Sequence, residues 1–262
     1  MSTLVSVITI CRNAEDCIEP TMLSVLQQTY ENIEYLVVDG QSSDRTLQVV
    51  ADVCRRFPLR KVRVISEPDD GISDAMNKGI RNSTGEIIAH LHAGDRYVGP
   101  TVIERVVASF VSCHWRWAVA DSIVVGPDGN PMHRYRPCPD RRMLLKKNCI
   151  PHQSAFLVRD LFDRHGLFRT DLKQAMDYEF WLRMAFLGGE SFVLLPFAAT
   201  YYASGGRSSR ILELLRYLWR IRRDASRYGV EQSVACDILF AARVAAFWVW
   251  EKALLRVHHA SG

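Results

Sequence analysis

The fold is indicated first by Leu4-Val5-Ser6-Val7-Ile8-Thr9-Ile10, an apolar and β-branched run that is typical of a buried strand. Similar segments recur at residues 33–38, 62–66 and 87–91, and patterns with the helical spacing of apolar residues separate and follow them. The helical patterns occupy residues 20–29, 43–53, 72–80 and 101–111. Strands that alternate with helices in this way predict an α/β fold, a mostly parallel sheet with helices on both faces.

The chain after residue 110 is less regular. Residues 118–125 and the turn-forming sequence GPDGNP at residues 126–131 predict a hairpin. Residues 151–158 and 192–202 predict two further strands, and residues 175–188 predict a helix.

The composition is that of a globular protein. The 262 residues are 48% hydrophobic and 24% charged, which excludes a disordered chain and a small disulfide scaffold. The seven cysteines form no C-x-x-C pair, so neither a zinc knuckle nor a redox motif is predicted. Residues 4–10 lack the flanks of a signal peptide, and residues 238–250 are too short and too charged for a membrane span. We therefore expect a cytoplasmic protein.

The positive charge is concentrated in the last part of the chain. The formal net charge is +4, and residues 205–262 hold ten basic and five acidic residues, so residues 1–204 carry a net charge of about −1. Arg216, Arg220 and Arg223 are spaced for one helical face, which predicts a basic amphipathic helix. Such a tail either contacts the inner face of the cell membrane peripherally or packs on the preceding domain. Nucleic acid is not expected as a partner, because no recognisable binding module accompanies the basic residues.

Polar residues follow the predicted strands at their carboxyl ends. They are Arg12 and Asn13, Asp39, the acidic residues 67–70, and Asp95. Ligands of open α/β sheets bind beyond these ends, so the residues mark a candidate site. Neither a P-loop nor a G-x-G-x-x-G motif is present, so nucleotide binding would use carboxylates and backbone groups.

An ordered set of segments resembles family 2 glycosyltransferases with the GT-A fold. The segments are VSVITICRN (5–13), SVLQQT (24–29), EYLVVDGQSSDRT (34–46), EPDDGISDAMNKG (67–79), GEIIAHLHAGD (85–95), PHQS (151–154) and MDYEFWLR (176–183). The resemblance covers roughly residues 4–203. It implies a GT-A catalytic domain over residues 1–204, with a nucleotide-binding half (1–110) and an acceptor-binding half (111–204). Residues 205–262 would form a helical tail.

The resemblance also implies a donor site for a nucleotide-diphosphate sugar. Asp39 would accept a hydrogen bond from the donor base, with help from Thr9 and Asn13, although an acid beside Gly40 can also serve a turn. Lys78 would complement phosphate charge unless it is an ordinary surface lysine. The implied donor-binding residues are Thr9, Arg12, Asn13, Asp39, Asp70, Asn77, Lys78, His92, Ala93, Gly94 and Asp95.

Ala93-Gly94-Asp95 occupies the place of the family's Asp-x-Asp motif. The first acid is replaced by Ala93, so only Asp95 remains as a carboxylate for Mg²⁺ or Mn²⁺. One carboxylate with donor phosphates and water can still hold such a cation. His92 and His152 are either additional ligands or ordinary polar residues.

By family position, Asp177 is expected to be the general base that deprotonates an acceptor hydroxyl. The alternative is an acid that stabilises a helix N-terminus. Glu179, two residues on, cannot share its helical face. His152 and Gln153 are expected near the sugar and acceptor, and Arg183 either near the diphosphate or in a structural ion pair. Trp115, Trp117 and Tyr135 are candidates for stacking on an acceptor, unless they belong to the core.

The resemblance thus implies an inverting glycosyltransferase, and we expect it to act on a glycan or lipid-linked acceptor in the assembly of cell-surface polysaccharide or glycolipid. A sugar nucleotidyltransferase is a weaker alternative because residues 11–15 form no glycine-rich triphosphate loop. A catalytically inactive, nucleotide-sugar-binding partner subunit is the non-enzymatic alternative.

Overall fold

The computed structural model describes residues 2–126, 128–138, 140–145, 147–203 and 217–221, together with Asp224, Ala242 and Ala246. The strands are β1 (Val5–Cys11), β2 (Ile33–Asp39), β3 (Val62–Ser66), β4 (Ile87–His90), β5 (Arg96–Tyr97), β6 (Trp117–Val125), β7 (Pro131–Tyr135), β8 (Ala155–Val158) and β9 (Val193–Ala203). The α-helices before residue 204 are α1 (Ile18–Leu26), α2 (Thr46–Arg56), α3 (Ile72–Asn82), α4 (Val102–Cys113), α5 (Asp160–His165) and α6 (Met176–Leu182). Short 3₁₀ helices span Arg141–Leu145 and His152–Ser154, and a π-helical segment, Arg183–Leu187, follows α6.

The strands form one sheet in the order β3-β2-β1-β4-β8-β6-β9-β5. The strand β7 is outside this order and pairs antiparallel with residues 122–125 of β6. The strands β1 to β4 are parallel to one another, which confirms the predicted parallel sheet. Only β8 separates β4 from β6, and it is antiparallel to both. The strand β6, and β9 parallel to it, therefore run in the direction of β1, and their carboxyl ends lie at the same edge of the sheet.

Two predictions in the second half need correction. The strand predicted from residue 151 begins only at Ala155, because His152–Ser154 turn as a 3₁₀ helix. The helix predicted over residues 175–188 changes from α to π geometry at Arg183. The hairpin of β6 and β7 is confirmed. The short elements β5 and α5 were not predicted, since two and six residues are too few to show a period.

The sheet is buried on both faces because β1 alternates between two apolar layers. Val5 and Val7 pack against α1, and Ile8 and Ile10 pack against α3 and α6. Trp117 belongs to the second layer, where it stacks on a tryptophan of α6, and Trp115 belongs to the first. They are 0% and 4% exposed, so both rings belong to the core, which is the alternative to acceptor stacking that the sequence left open.

The tail contacts the domain through described residues between 217 and 224. Leu218 and Ile221 are buried in the layer beneath α6. Arg220 pairs with Asp171 at 2.8 Å, and Asp224 pairs with an arginine of the domain. The predicted basic face is thus neutralised by the domain at Arg220, whereas Arg216 and Arg223 lie outside the described residues. Within the part of the chain that the structure describes, no helix is long and apolar enough to cross a membrane.

Candidate active site

The carboxyl end of β2 carries Asp39, which is completely buried. Its carboxylate accepts hydrogen bonds from the backbone N–H of Ser42 (3.0 Å), from the Ser42 hydroxyl and from the Ser66 hydroxyl (2.7 Å). Asp39 therefore closes the turn after β2 and joins it to the end of β3. It lies at the predicted edge of the sheet, and in this state serine groups occupy the oxygens that a donor base would use.

The loops after β1 and β2 are bound to each other. Asn13, with φ of 51°, donates its backbone N–H to Ser42 and accepts the N–H of Ser43 at its side-chain oxygen (2.9 Å). A Cβ at position 40 would overlap the Asp69 carboxylate and come within 3.3 Å of Arg12 Cδ. A side chain at position 40 would therefore displace the Asp69 carboxylate from its place beside this turn. The structure brings Arg12, Asn13 and Asp39 together. Asp69 also lies in this group, although only the acidic cluster of residues 67–70 pointed to it.

Asp70 lies on the exposed rim of the same edge. Its carbonyl accepts a hydrogen bond from Lys173, and its backbone N–H donates to Asp74 at 3.2 Å. The Asp70 carboxylate stays exposed, beside Gly71 at the start of α3.

Three predicted donor-binding residues are used by the fold instead. Thr9 is buried and donates its hydroxyl to the Leu91 carbonyl at 2.7 Å. The buried Asn77 amide exchanges two hydrogen bonds with the Phe168 backbone, at 2.8 and 3.0 Å. The Lys78 ammonium pairs with Glu67 (3.2 Å) and Asp74 (3.3 Å), which is the surface-lysine alternative. The structure does not bring these side chains into the cleft.

Asp95 follows a turn at the end of β4 that Gly94 allows with φ of 99°. The Thr21 hydroxyl holds this turn by accepting the Gly94 N–H and donating to the Asp95 carbonyl. The Asp95 carboxylate has no side-chain hydrogen-bond partner among the described residues. Burial raises the pKa of Asp95 to about 7, although the charge of His152 and the backbone of His92 act in the opposite direction. A partly buried carboxylate without a side-chain partner suits a cation.

Three imidazoles lie between Asp95 and α6. The His92 and His152 rings are 4.4 Å apart between centroids, and His90 lies 6.2 Å from His92. Burial lowers the pKa of His90 to about 3 and also lowers that of His92, so both rings are neutral at pH 7. Within the described residues, both His90 nitrogens and Nε2 of His92 and His152 are buried without a hydrogen-bond partner.

Neutral imidazole nitrogens can ligate a metal or accept a hydrogen bond. Across the described ranges, however, no three His, Cys, Asp or Glu side chains are arranged as a metal centre. Ala93 and Gly94 offer only their backbone. The residues fit a cation that is coordinated mainly by the phosphate groups of a bound molecule and by water, with Asp95 as the protein carboxylate.

Asp177 stands at the start of α6, 16% exposed, and faces this group. Its Oδ2 accepts a hydrogen bond from the Asn148 amide (3.2 Å) and lies 3.7 Å from His152 Nδ1, while Oδ1 accepts the Tyr178 N–H (2.8 Å). Burial raises the pKa of Asp177, but these partners outweigh burial and lower it below its ordinary value. Asp177 is therefore ionised at neutral pH, as a general base must be.

His152 completes the link between the two acids. Burial lowers its pKa, but the carboxylates of Asp177 and Asp95 outweigh burial and raise it above the ordinary value. Gln153 is buried beside it in the same 3₁₀ turn.

Arg183 is not part of this group. Its guanidinium donates to the Glu179 carboxylate at 2.9 and 3.2 Å and to the carbonyls of His165 and Leu167. Glu179 is 1% exposed, on the side of α6 away from Asp177, so the two acids do occupy different faces as predicted. The structural alternative for Arg183 is the one observed.

Sequence reasoning missed two residues of the cleft and left a third open. Asn148, which holds Asp177, lies in a segment with no period or motif. Burial, and in second place the negative charge of Asp95, raises the pKa of Tyr202 in β9. The Tyr135 hydroxyl donates to the Asn148 carbonyl at 3.4 Å, and burial raises the pKa of Tyr135 to about 12. For Tyr202, the one sequence signal was its position near the carboxyl end of the last predicted strand.

Comparison with known proteins matches residues 6–162 to the family described as Glycosyl transferase family 2. An uncharacterized glycosyltransferase of Mycobacterium tuberculosis is 34% identical over 187 residues, which are 69% of this chain and 68% of that protein. A PGL/p-HBAD biosynthesis glycosyltransferase of Mycobacterium bovis is 29% identical over 160 residues, 61% of each chain. EpsJ of Bacillus subtilis, an uncharacterized glycosyltransferase, is 29% identical over 196 residues, 69% of this chain and 55% of that protein.

Two solved structures share the fold. TarS of S. aureus, as fragment 1–349 with UDP-GlcNAc, superposes with a TM-score of 0.68 at 18% identity, over 94% of this chain and 71% of that one. The mannosyltransferase PcManGT of Pyrobaculum calidifontis, with GDP-Man and Mn²⁺, gives 0.68 at 20% identity, over 100% of this chain and 76% of that one. The sheet and its helices are thus those of the GT-A fold.

Proposed function

Because the chain belongs to glycosyl transferase family 2, we propose that it moves a sugar from a nucleotide-diphosphate donor to an acceptor hydroxyl, with inversion at the anomeric carbon. One observation carries this proposal. Asp177 is a carboxylate with a lowered pKa, fixed by Asn148 and His152, and it faces Asp95 across the histidines at the carboxyl edge of the sheet.

The reaction is a single displacement. Asp177 accepts the proton of the acceptor hydroxyl while that oxygen forms a bond to the anomeric carbon. The bond from the anomeric carbon to the diphosphate oxygen breaks on the opposite side, and its electron pair leaves with the nucleoside diphosphate. Attack from the side opposite the leaving group inverts the configuration. No protein nucleophile is needed.

The orientation of Asp177 is supplied by its neighbours. Oδ2 is held by the Asn148 amide, and Oδ1 accepts a single backbone N–H. Each carboxylate oxygen can accept more than one hydrogen bond, so the acceptor hydroxyl has a free position on Asp177. The proton of the acceptor hydroxyl is therefore received by Asp177, whose position is fixed before the substrate binds.

Asp95 is the protein ligand proposed for Mg²⁺ or Mn²⁺, with His92 as a nitrogen donor beside it. When bound, the cation would stabilise the negative charge that develops on the leaving diphosphate. The Mn²⁺ in the mannosyltransferase structure supports the use of a divalent cation.

The donor nucleoside is proposed to lie over Arg12, Asn13, Asp39 and Asp70. Ser42 and Ser66 donate hydrogen bonds to Asp39. A donor base would either replace these hydrogen bonds or bind the carboxylate alongside them. The structures that share the fold contain UDP-GlcNAc and GDP-Man, which supports a nucleotide sugar without selecting the base.

The acceptor is proposed to be a glycan or a lipid-linked sugar of cell-surface polysaccharide or glycolipid assembly. The relative named for PGL/p-HBAD biosynthesis supports this class. Peripheral contact with the inner face of the cell membrane through residues 205–262 remains a prediction. Leu218 and Ile221 take no part in it, because the domain core buries them.

Calorimetric titration with a panel of nucleoside diphosphates and their sugars tests the donor site, with Mn²⁺, with Mg²⁺ and with chelator. We expect one nucleotide class to bind, and binding to weaken with chelator. Binding that is unchanged by the chelator would exclude a cation from donor binding but would be consistent with the proposed transferase. A panel without any binding would overturn the donor site, and with it both the transferase and the nucleotide-sugar-binding partner subunit. Binding without turnover is the result that would favour the inactive subunit, the alternative to which Ala93 points.

A further inference from the structure

A strongly basic segment borders the candidate active site. Residues 131–148, here called the basic arm, contain six Arg or Lys residues and one Asp, in a domain whose net charge is about −1. The arm comprises β7 and the chain that leads from it to Asn148. Pro139 and Lys146 are the two positions in it that the structure does not describe.

The guanidinium groups of the arm are only partly neutralised. Arg134 and Arg136 share one carboxylate, that of Asp121, at 2.6 and 3.6 Å. Their side chains are 43% and 75% exposed. Arg142 and Lys147 are exposed, and among the described residues no carboxylate lies within 4.0 Å of either charge. Even with the carboxylates of Asp121 and Asp140 counted, these four cations leave an excess of positive charge that faces solvent and attracts an anion.

The basic residues of α2 and the start of β3 differ from those of the arm in how they are paired. Residues 45–63 also contain six Arg or Lys residues and one Asp. There, Arg45, Arg55 and Arg56 each have a carboxylate partner of their own. Arg60 and Arg63 donate to backbone carbonyls. Three charges of that segment thus have separate carboxylates, whereas in the described part of the arm only Arg134 and Arg136 have a carboxylate partner, and they share it.

The arm is joined to the general base by three contacts. The Tyr135 hydroxyl donates to the Asn148 carbonyl, and the Asn148 amide donates to Asp177. The Tyr178 hydroxyl donates to the Leu144 carbonyl. Because β6 runs in the direction of β1, the hairpin that carries the arm leaves the sheet at the edge where Asp95 lies. A molecule on the arm therefore lies next to the base.

We propose that the basic arm binds the phosphate or diphosphate group of an acceptor, with Arg136 and Arg142 as its principal contacts. The inference rests on the proposed function and narrows the acceptor to a phosphate-bearing class. Guanidinium groups match phosphate oxygens with paired, charge-assisted hydrogen bonds. The hydroxyl that reacts is then presented to Asp177 by a group that the arm holds in place.

The test uses farnesyl diphosphate as the probe and farnesol as its uncharged counterpart. Binding to the full chain is measured by calorimetry in chelator, first with the probe alone and then with excess UDP and GDP as competitors for the donor site. We expect farnesyl diphosphate to bind and farnesol not to bind. The double variant Arg136→Gln/Arg142→Gln should lose about 100-fold in affinity, about tenfold for each guanidinium. The control Arg55→Gln, at a side chain 74% exposed on α2, should bind as the wild type does.

An unchanged affinity of the double variant would overturn the proposal, and so would displacement of the probe by UDP or GDP. Vesicles of phosphatidylglycerol and phosphatidylcholine form a second arm of the test. Binding to these vesicles that depends on Arg136 and Arg142, without binding of farnesyl diphosphate, would make the arm a membrane contact and also overturn the proposal. Donor binding and turnover are measured without this probe, so failure here leaves the proposed transferase standing.

Discussion

Replacing Arg183 with methionine tests whether this guanidinium serves the fold or the donor diphosphate. Its side chain is 15% exposed and that of Glu179 is 1% exposed, so their ion pair is buried. Removal of one partner of a buried ion pair costs about 3–5 kcal/mol, because the remaining charge loses its counterion in a desolvated site. The carbonyls of His165 and Leu167 lose a donor as well.

We therefore expect Arg183→Met to lower the free energy of unfolding by about 3–5 kcal/mol, a large part of the total stability of a domain. Urea denaturation at low temperature measures this loss. Arg164→Met is the control, since Arg164 is 60% exposed in its pair with Asp160 and such pairs contribute about 0–1 kcal/mol.

The same variant is also tested for donor affinity under conditions in which it remains folded. We expect the dissociation constant of the nucleotide sugar to equal that of the wild type. A stability loss below about 1 kcal/mol, together with a large loss of donor affinity, would refute the structural role and return Arg183 to the diphosphate.

Three further variants test other parts of the account. Thr9→Val should lower the free energy of unfolding by about 1–3 kcal/mol in a urea titration, because the Leu91 carbonyl loses its donor, and it should leave nucleotide affinity unchanged; weakened nucleotide binding at unchanged stability would contradict this assignment. Asp95→Asn should reduce calorimetric nucleotide affinity with Mg²⁺ to the wild-type value in chelator, and a retained response to Mg²⁺ would exclude Asp95 as the ligand. His90 has a lowered pKa in the fold, so the unfolded chain binds more protons between about pH 6.5 and 3, and stability falls as pH falls through this window by up to about 1.4 kcal/mol per pH unit. His90→Leu should flatten this slope in urea titrations across that range, and an unchanged slope would show that His90 is not its source.

The sheet could be predicted because its signal is local. The strands β1, β2 and β4 consist mostly of apolar residues, as buried parallel strands do, and their ends place Asp39 and Asp95 at one edge. The two-residue β5 had no such signal.

Thr9 shows why the donor residues were harder to assign. Its position in β1 puts it on the face of Val5 and Val7, which the period of two indicates, and the resemblance to the family placed it in the donor site instead. Whether a buried hydroxyl is satisfied by the fold depends on partners far away in sequence, here Leu91.

Arg183 was predictable in part. Its spacing of four residues from Glu179 on one helix is the signal of an ion pair. That this pair is buried, and that it also holds two carbonyls of the preceding loop, follows only from the packing of α6. Asn148 could not have been found, since its contact with Asp177 spans 29 residues and follows no motif.

The central claim is that Asp177 removes a proton from the acceptor, and Asp177→Asn tests it most directly. The measurement is the rate of nucleoside diphosphate release from the donor that the panel identifies, with acceptor present and nucleotide affinity measured alongside. The control is Asp163→Asn, at an exposed acid on α5. The account predicts a loss of about 10²–10⁴-fold in turnover for Asp177→Asn with donor affinity retained, and no loss for the control. Wild-type turnover in Asp177→Asn would contradict it.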